Sequence, residues 1–359
     1  MAKTPQSLIV VGGGIVGLCV AVVAQARGHA VTLVTRDRPE DTASGIAAGM
    51  IAPVLESRSD PWNHEGLARM KRAQAAWLDL LEVWPQHLQQ ALLSQQTDAQ
   101  SVFVWPGESD DGDDVFFGLA MGDTCPDDSD RASLRSLGIA DGYSGLPVVG
   151  DWLIDARMAL AELEKAFVSS GGRFLQDEAC FVSRHAVRLM AGEMLNADHV
   201  VIAAGFDSTA FAEAFPVLAR LHPIKGHLLD IAGPSLRGVV RSSAGYLAGY
   251  GDSAKFGASM EAGKADTAVD AGVVTDLVAR ARTLFPNLDL TKAVPRTGIR
   301  AATPDGWPII GRDAESGIYI ATGMRRNGYV FAPLAARIIA DLIDGVANPD
   351  AFAYRPDRF

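Results

Sequence analysis

The chain has 359 residues, 48% of them hydrophobic, and a formal charge of −11 from 32 Lys and Arg against 43 Asp and Glu. That length predicts two domains with substantial cores, and the acidic balance, without a Lys/Arg cluster, excludes a nucleic-acid-binding stripe. Three widely spaced cysteines, Cys19, Cys125 and Cys180, fit a reducing cytoplasm better than a disulfide framework, and apart from the opening run no uncharged segment approaches the roughly 20 residues that a bilayer span needs.

The opening run, 8–26, is uncharged and follows Lys3, a pattern that a secretory signal also shows. Gly12, Gly13 and Gly14 argue against that reading, because each would cost an apolar helix about 1 kcal/mol relative to Ala. They suit a turn. The spacing predicts a strand over 7–11, a glycine loop, a helix over 15–27 stopped by Gly28, and a second strand in HAVTLVT. In that βαβ setting the pattern Gly12-x-Gly14-x-x-Gly17 has a physical meaning: Gly12 permits the tight turn, Gly14 admits a pyrophosphate to the backbone, and Gly17 lets helix and strand pack closely. The phosphates then meet the helix N-terminus. The acid expected at the end of the second strand is missing. Thr35 stands there, followed by Arg36 and Asp37; either Thr35 makes a weaker hydroxyl contact to the ribose or Asp37 reaches back, and Arg36 by itself would fit a 2′-phosphate.

Farther along, 62–93 is helical in period, with Pro85 as a break. The segment 108–130 holds nine carboxylates and no Lys or Arg, which reads as solvated loops around a strand in VFFGLAM, or as a lid. A helix starts after Asp155 as N-cap and closes at Gly171-Gly172. ADHVVIAAG reads as a strand, 221–262 is rich in strand-like runs, a helix covers 269–284, and the last helix lies between Gly328 and Gly345 with Pro333 in its first turn. The expected class is α/β, α+β overall: a Rossmann-like dinucleotide domain with an interleaved β-rich domain.

SGIAAGMIAP, HPIKGH, GIRAATPDGWPIIG and YIATGMRRNGYVFAP follow one another in the order found in one family. On these motifs the chain resembles the flavin-dependent D-amino-acid oxidase superfamily from 8 to 345, most of all its glycine oxidase branch associated with thiamine biosynthesis. The resemblance implies noncovalent FAD, which removes the 2′-phosphate reading of Arg36, and no metal. It implies a discontinuous FAD-binding domain of 1–82, 151–215 and 315–359, and a substrate domain of 83–150 and 216–314. Gly12, Gly14, Ile15, Val16 and Gly17 would hold the pyrophosphate, with Thr35 and Arg36 on the adenosine side. Ser44, Ala47, Ala48, Gly49 and Met50 would line the flavin ring; Ala203, Ala204 and Gly205 would lie beside the adenine half. Gly323, Arg325, Arg326, Asn327, Gly328 and Tyr329 would form the final flavin loop, with the positive end of the last helix toward the ring.

Arg300 matches the arginine that pairs with an amino-acid carboxylate and also borders the flavin. Tyr246 would donate to the same carboxylate, Met260 would wall the pocket, and Arg326 stands in the RNG sequence as the next cation at the site. Lys225, His222 and His227 read as structural or flavin-edge residues rather than bases. The chain departs from the family at Arg296-Thr297, at Ala301, at LAGYG after Tyr246 and at Arg325, which bears on the substrate rather than the cofactor. The implied reaction is oxidation of glycine, sarcosine or a small D-amino acid, with hydride passing from Cα to the flavin and oxygen then yielding hydrogen peroxide. A dehydrogenase passing electrons to a quinone or carrier, and a flavin-binding subunit without its own turnover, stand as alternatives. No nucleic acid or membrane is expected as a partner, and an assembly of identical copies is left open.

Overall fold

The computed structural model describes residues 4–59, 64–82, 86, 89, 100–107, 134–148, 150–233 and 236–359. Cys125, Pro85 and the strand expected in VFFGLAM fall outside these residues.

The opening run folds as strand Ser7–Val11, a glycine turn and helix Ile15–Ala26, followed by strand Ala30–Thr35. The first strand pairs in parallel with both Ala30–Thr35 and His199–Ile202. It is buried on both faces, as its unbroken apolar run requires. Leu8 and Val10 enter one core with the helices, while Ile9 and Val11 enter a second with Val187, Phe211 and Leu218. The two-residue period of a strand divides its side chains between the layers in this way. Six strands form this sheet, in the order Ile309–Arg312, Tyr319–Thr322, His199–Ile202, Ser7–Val11, Ala30–Thr35, Arg173–Gln176. Ile309–Arg312, which the sequence division gave to the substrate part, pairs antiparallel with Tyr319–Thr322 and so belongs here.

Helix Ile15–Ala26 packs against the last helix, Gly328–Ile343, which in turn packs against His64–Leu81. Pro333 is the sixth residue of that last helix, inside it and not in its first turn. A proline there removes the N–H that would bond to the Tyr329 carbonyl. The buried Trp77 indole supplies the missing donor, with Nε1 donating to Tyr329 O at 2.7 Å, so the helix tolerates the proline at the cost of one fixed neighbour.

The second sheet has eight strands, with His222–Ala232 paired to both Ser253–Gly257 and Val294–Ala302, and Gly245–Tyr250 between Ser253–Gly257 and Arg237–Ser242. Helix Ala271–Leu284, capped by Asp270 on the Gly272 and Val273 amides, covers one face. There Leu229, Val240, Leu247 and Phe256 pack on Leu277, Ala281 and Leu284. Residues one step away in each strand, Leu228, Arg241, Tyr246 and Gly257, therefore point from the other face, where they line a cavity shared with the 43–50 loop.

Candidate active site

The 43–50 segment, which opens with the short helix Ala43–Ile46 and ends at the strand Met50–Ile51, walls the cavity under the second sheet and is held by its carbonyls. Tyr329 Oη donates to Ser44 O at 3.0 Å, Lys255 Nζ to Ile46 O at 3.0 Å, Tyr250 Oη to Ala48 O at 2.5 Å, and Ile154 N to Gly49 O at 3.1 Å. Gly49 has φ +69°, and a Cβ on it would stand 2.0 Å from Ile154 O, so only glycine allows this wall to approach.

Three cavities border the expected residues. The first, of about 310 Å³, lies at the ends of the parallel strands and is lined by Gly12, Thr35, Arg36, Ala204 and Asp207 among others. A small one of about 130 Å³ is bounded by Ile15, Val16, Ser44, Ala47, Arg325 and Gly328. The third, of about 270 Å³, lies under the second sheet and is lined by Ala47, Ala48, Gly49, Met50, Tyr246 and Met260. Arg300, Arg326 and Tyr329 border both of the last two.

Several expected residues also shape these spaces through their backbone or their own contacts. A Cβ on Gly12 would meet Ala203 O at 2.4 Å, and one on Gly17 would meet Gly12 O at 1.9 Å. Gly14 is the N-cap of the first helix and brings no side-chain cap; Ile15 N donates to Ser44 Oγ at 3.1 Å. Gly205 and Gly323 both turn with positive φ, +57° and +79°. Thr35 is buried, but its hydroxyl donates to Asp37 O at 2.8 Å, while Arg36 pairs with Asp37 and Asp207, both at 2.8 Å.

An FAD fits this arrangement. The helices Ile15–Ala26 and Gly328–Ile343 both present N-termini that their own N-cap residues leave uncapped, with no acid in the first turn, the setting that favours a pyrophosphate or an electron-rich ring. Asn327, 2% exposed, occupies the N-cap position of the second of them, and its Oδ1 is a buried acceptor without a partner among the described residues. Such an atom requires a donor, which the N–H and hydroxyl groups of a flavin nucleotide carry.

In the inner cavity Arg300 is held by one bond, Nη1 to Ser259 O at 3.2 Å, and no acid among the described residues pairs with it. Arg300 pairs across the sheet with Ile224, and its guanidinium reaches along that strand to Gly226, where a Cβ would stand only 2.2 Å from Nη1. Burial pushes the Arg300 pKa below the usual arginine value, Tyr246 opposes the shift, and Arg326 adds to it; a guanidinium stays charged even so. Burial raises the Tyr246 pKa, with Arg300 and Arg241 pulling it back, so its hydroxyl keeps its proton near neutral pH.

Arg326, expected as the next cation at the site, lines the cavity but is engaged by an acid: its Nε donates to Glu56 Oε2, and its Nη2 to Glu56 O at 3.3 Å. Glu56 also accepts from Arg241 Nη1 at 2.5 Å. Burial opposes the ionisation of Glu56, but Arg241 and Arg326 outweigh it and hold the carboxyl below its usual range. Of the two readings of Lys225 and His227, structural or flavin-edge, their contacts fit the structural one. Lys225 pairs with Asp266 at 2.6 Å and His227 with Glu261 at 2.8 Å, on the other side of the strand from Gly226 and Leu228. His222 is exposed at the strand's start. Glu56, Arg241, Tyr250 and Lys255 escaped the sequence reading.

Residues 7–342 match the model of one protein family, described as DAO, FAD dependent oxidoreductase. The chain belongs to this family. It is an FAD-dependent enzyme. It is 29% identical over 372 residues to a bifunctional ThiO/ThiG protein of Nostoc sp. strain PCC 7120, covering 94% of this chain and 52% of the relative, so it spans about half of that protein. It is 26% identical to a glycine oxidase of Geobacillus kaustophilus, covering 93% of this chain and 92% of the relative. The crystal structure of glycine oxidase from Geobacillus kaustophilus superposes with a TM-score of 0.81 over 99% of both chains at 24% identity, which shows the fold. No helix among the described residues is long and apolar enough to cross a membrane.

Proposed function

We propose that this enzyme oxidises the amine of a small α-amino acid, with glycine, sarcosine and small D-amino acids as its candidate substrates. The observation that carries the reading is Arg300: a buried guanidinium lining the cavity, with a single carbonyl contact and no acid paired with it among the described residues. A buried cation so placed calls for an anion, and its planar fork fits a carboxylate with two parallel bonds. Glycine oxidase relatives support the same substrate class. The segments around the six-stranded sheet would bind FAD, and the eight-stranded sheet would roof the substrate.

FAD supplies the two-electron oxidation of the carbon bearing the amine, and everything else falls to the chain. Arg300 fixes the carboxylate, and Tyr246 donates its retained proton to the same group. Orientation is then set by two side chains from different strands. Three guanidiniums, Arg241, Arg300 and Arg326, line the cavity against one carboxylate, Glu56. The resulting positive potential favours a neutral amine over an ammonium, so no side chain needs to act as a strong base. Met260, 46% exposed, stands at the cavity mouth and covers the substrate with apolar surface. Oxygen is proposed as the final acceptor, giving hydrogen peroxide, with a quinone or carrier as the second reading. Purified holoenzyme assayed against a panel of amino acids, with oxygen and dye acceptors in parallel, tests both points. Peroxide formation stoichiometric with the imino acid supports the oxidase. Turnover only with the dye overturns the choice of acceptor, and no turnover with either overturns the enzyme reading.

A further inference from the structure

The inner cavity holds more positive charge than a small amino acid needs, and one acid governs it. Glu56 lies in the short helix Pro53–Ser59, its side chain 6% exposed. The helix is fixed in turn by Asp151, whose two oxygens accept from Val54 N at 3.0 Å and Leu55 N at 3.1 Å. Thus mounted, Glu56 spans the site: one oxygen takes Arg241, from the eight-stranded sheet, and the other takes Arg326, from the loop before the last helix. Arg300 receives no such acid among the described residues.

A carboxylate shared by two guanidiniums offsets about half of their summed field at a third group, and it fixes the direction of the guanidinium donors. A substrate carboxylate among three cations of equal strength would have several poses of similar energy, and the productive one would be a fraction of the bound population. We propose that Glu56 is a positioning residue: by holding Arg241 and Arg326 it withholds both from the substrate, leaving Arg300 as the single anchor and one carboxylate pose against Tyr246. This rests on the amino-acid reading above.

The test uses holoenzyme with four chains: parent, Glu56→Gln, Glu56→Asp and the double variant Glu56→Gln/Arg241→Met. Acetate binding is followed by the perturbation of the flavin absorption band, which needs no turnover, and the limiting rate of anaerobic flavin reduction is measured at saturating amino acid. Glu56→Gln is expected to bind acetate about three- to thirtyfold more tightly, because a negative charge has left the cavity. Its limiting reduction rate is expected to fall about ten- to a hundredfold, because the tighter poses are unproductive. Glu56→Asp should recover part of the rate, and the double variant, which restores the charge balance, should return acetate affinity to within about threefold of the parent.

Unchanged or weaker acetate binding in Glu56→Gln, or an unchanged limiting rate, overturns the proposal. A purely structural role would lower flavin content and melting temperature and weaken binding and rate together, which also overturns it. Should Glu56→Gln not fold, Arg241→Met carries the test: it leaves Glu56 to Arg326 alone and should weaken acetate binding about three- to thirtyfold, whereas equal or tighter binding refutes the charge balance. If no amino acid reduces the parent flavin, the oxidation reading fails, and the acetate titrations still decide the part that Glu56 plays.

Discussion

Gly226→Ala perturbs the carboxylate anchor without replacing it. The new Cβ would lie 2.2 Å from Arg300 Nη1, 2.4 Å from Nη2 and 2.5 Å from Cζ. Carbon and nitrogen atoms settle at about 3.5 Å or more, so the guanidinium must retreat by about 1.3 Å. It is the far end of a flexible side chain, and the strand itself need not move, so flavin content and melting temperature should stay near those of the parent. Misplacement of about 1 Å costs an oriented reaction about a hundredfold, equivalent to about 2.7 kcal/mol in the barrier. Rapid-mixing measurement of anaerobic flavin reduction, at amino-acid concentrations well below saturation, reads that loss directly. Reduction as fast as in the parent, with Gly226→Ala folded and fully loaded with FAD, would refute the assignment of Arg300 as anchor.

Further outcomes follow from the same contacts. Arg300→Lys should retain FAD yet recover only part of the reduction rate lost in Arg300→Ala, because a point charge lacks the two-pronged geometry; the same rapid-mixing assay measures both. Trp77→Phe leaves the Tyr329 carbonyl unpaired and should lower unfolding free energy by about 1–3 kcal/mol; in a Pro333→Ala background the alanine N–H reaches that carbonyl, so denaturation of all four chains should show a smaller cost. Burial raises Asp151 to a pKa of about 7, against the Val54 and Leu55 amides that lower it, so the folded chain holds a proton that the unfolded one, near 3.9, has released. That contribution to stability is present below about pH 4 and is lost as pH rises toward 7, up to about 4 kcal/mol. Urea melts from pH 4 to pH 8 should show this slope in the parent and not in Asp151→Asn.

The parallel sheet was legible because its signals are local: Gly12-x-Gly14-x-x-Gly17 between two β-branched runs leaves few other folds for those residues. Gly17 illustrates the point, since its neighbour Gly12 O would lie 1.9 Å from a Cβ, a constraint that glycine spacing alone conveys. Arg300 and Tyr246 came through the motifs around them. Glu56 did not, because its two partners stand 185 and 270 residues away, and pairing across sheets leaves no spacing to read. One signal was available: Glu56 is the first charge after the uncharged run 43–55, and a lone acid in apolar company needs a partner. Arg241 could have been found by period two, since it lies opposite Tyr246 in the antiparallel register. Pro333 misled because a proline within six residues of a helix start resembles one in the first turn, and its compensating donor, Trp77, is distant in sequence. Lys225 and His227 sit in a family motif, but the alternation along their strand turns them from the cavity.

Anaerobic titration of the purified holoenzyme with glycine, sarcosine and small D-amino acids, followed by flavin absorbance, tests the central claim most directly. Bleaching of the oxidised flavin band by at least one of them, with one imino acid or its hydrolysis products formed per flavin, is the expected result. A protein that carries FAD, is reduced by dithionite and is bleached by none of these amines, or is bleached equally well by amines lacking a carboxylate, would contradict it.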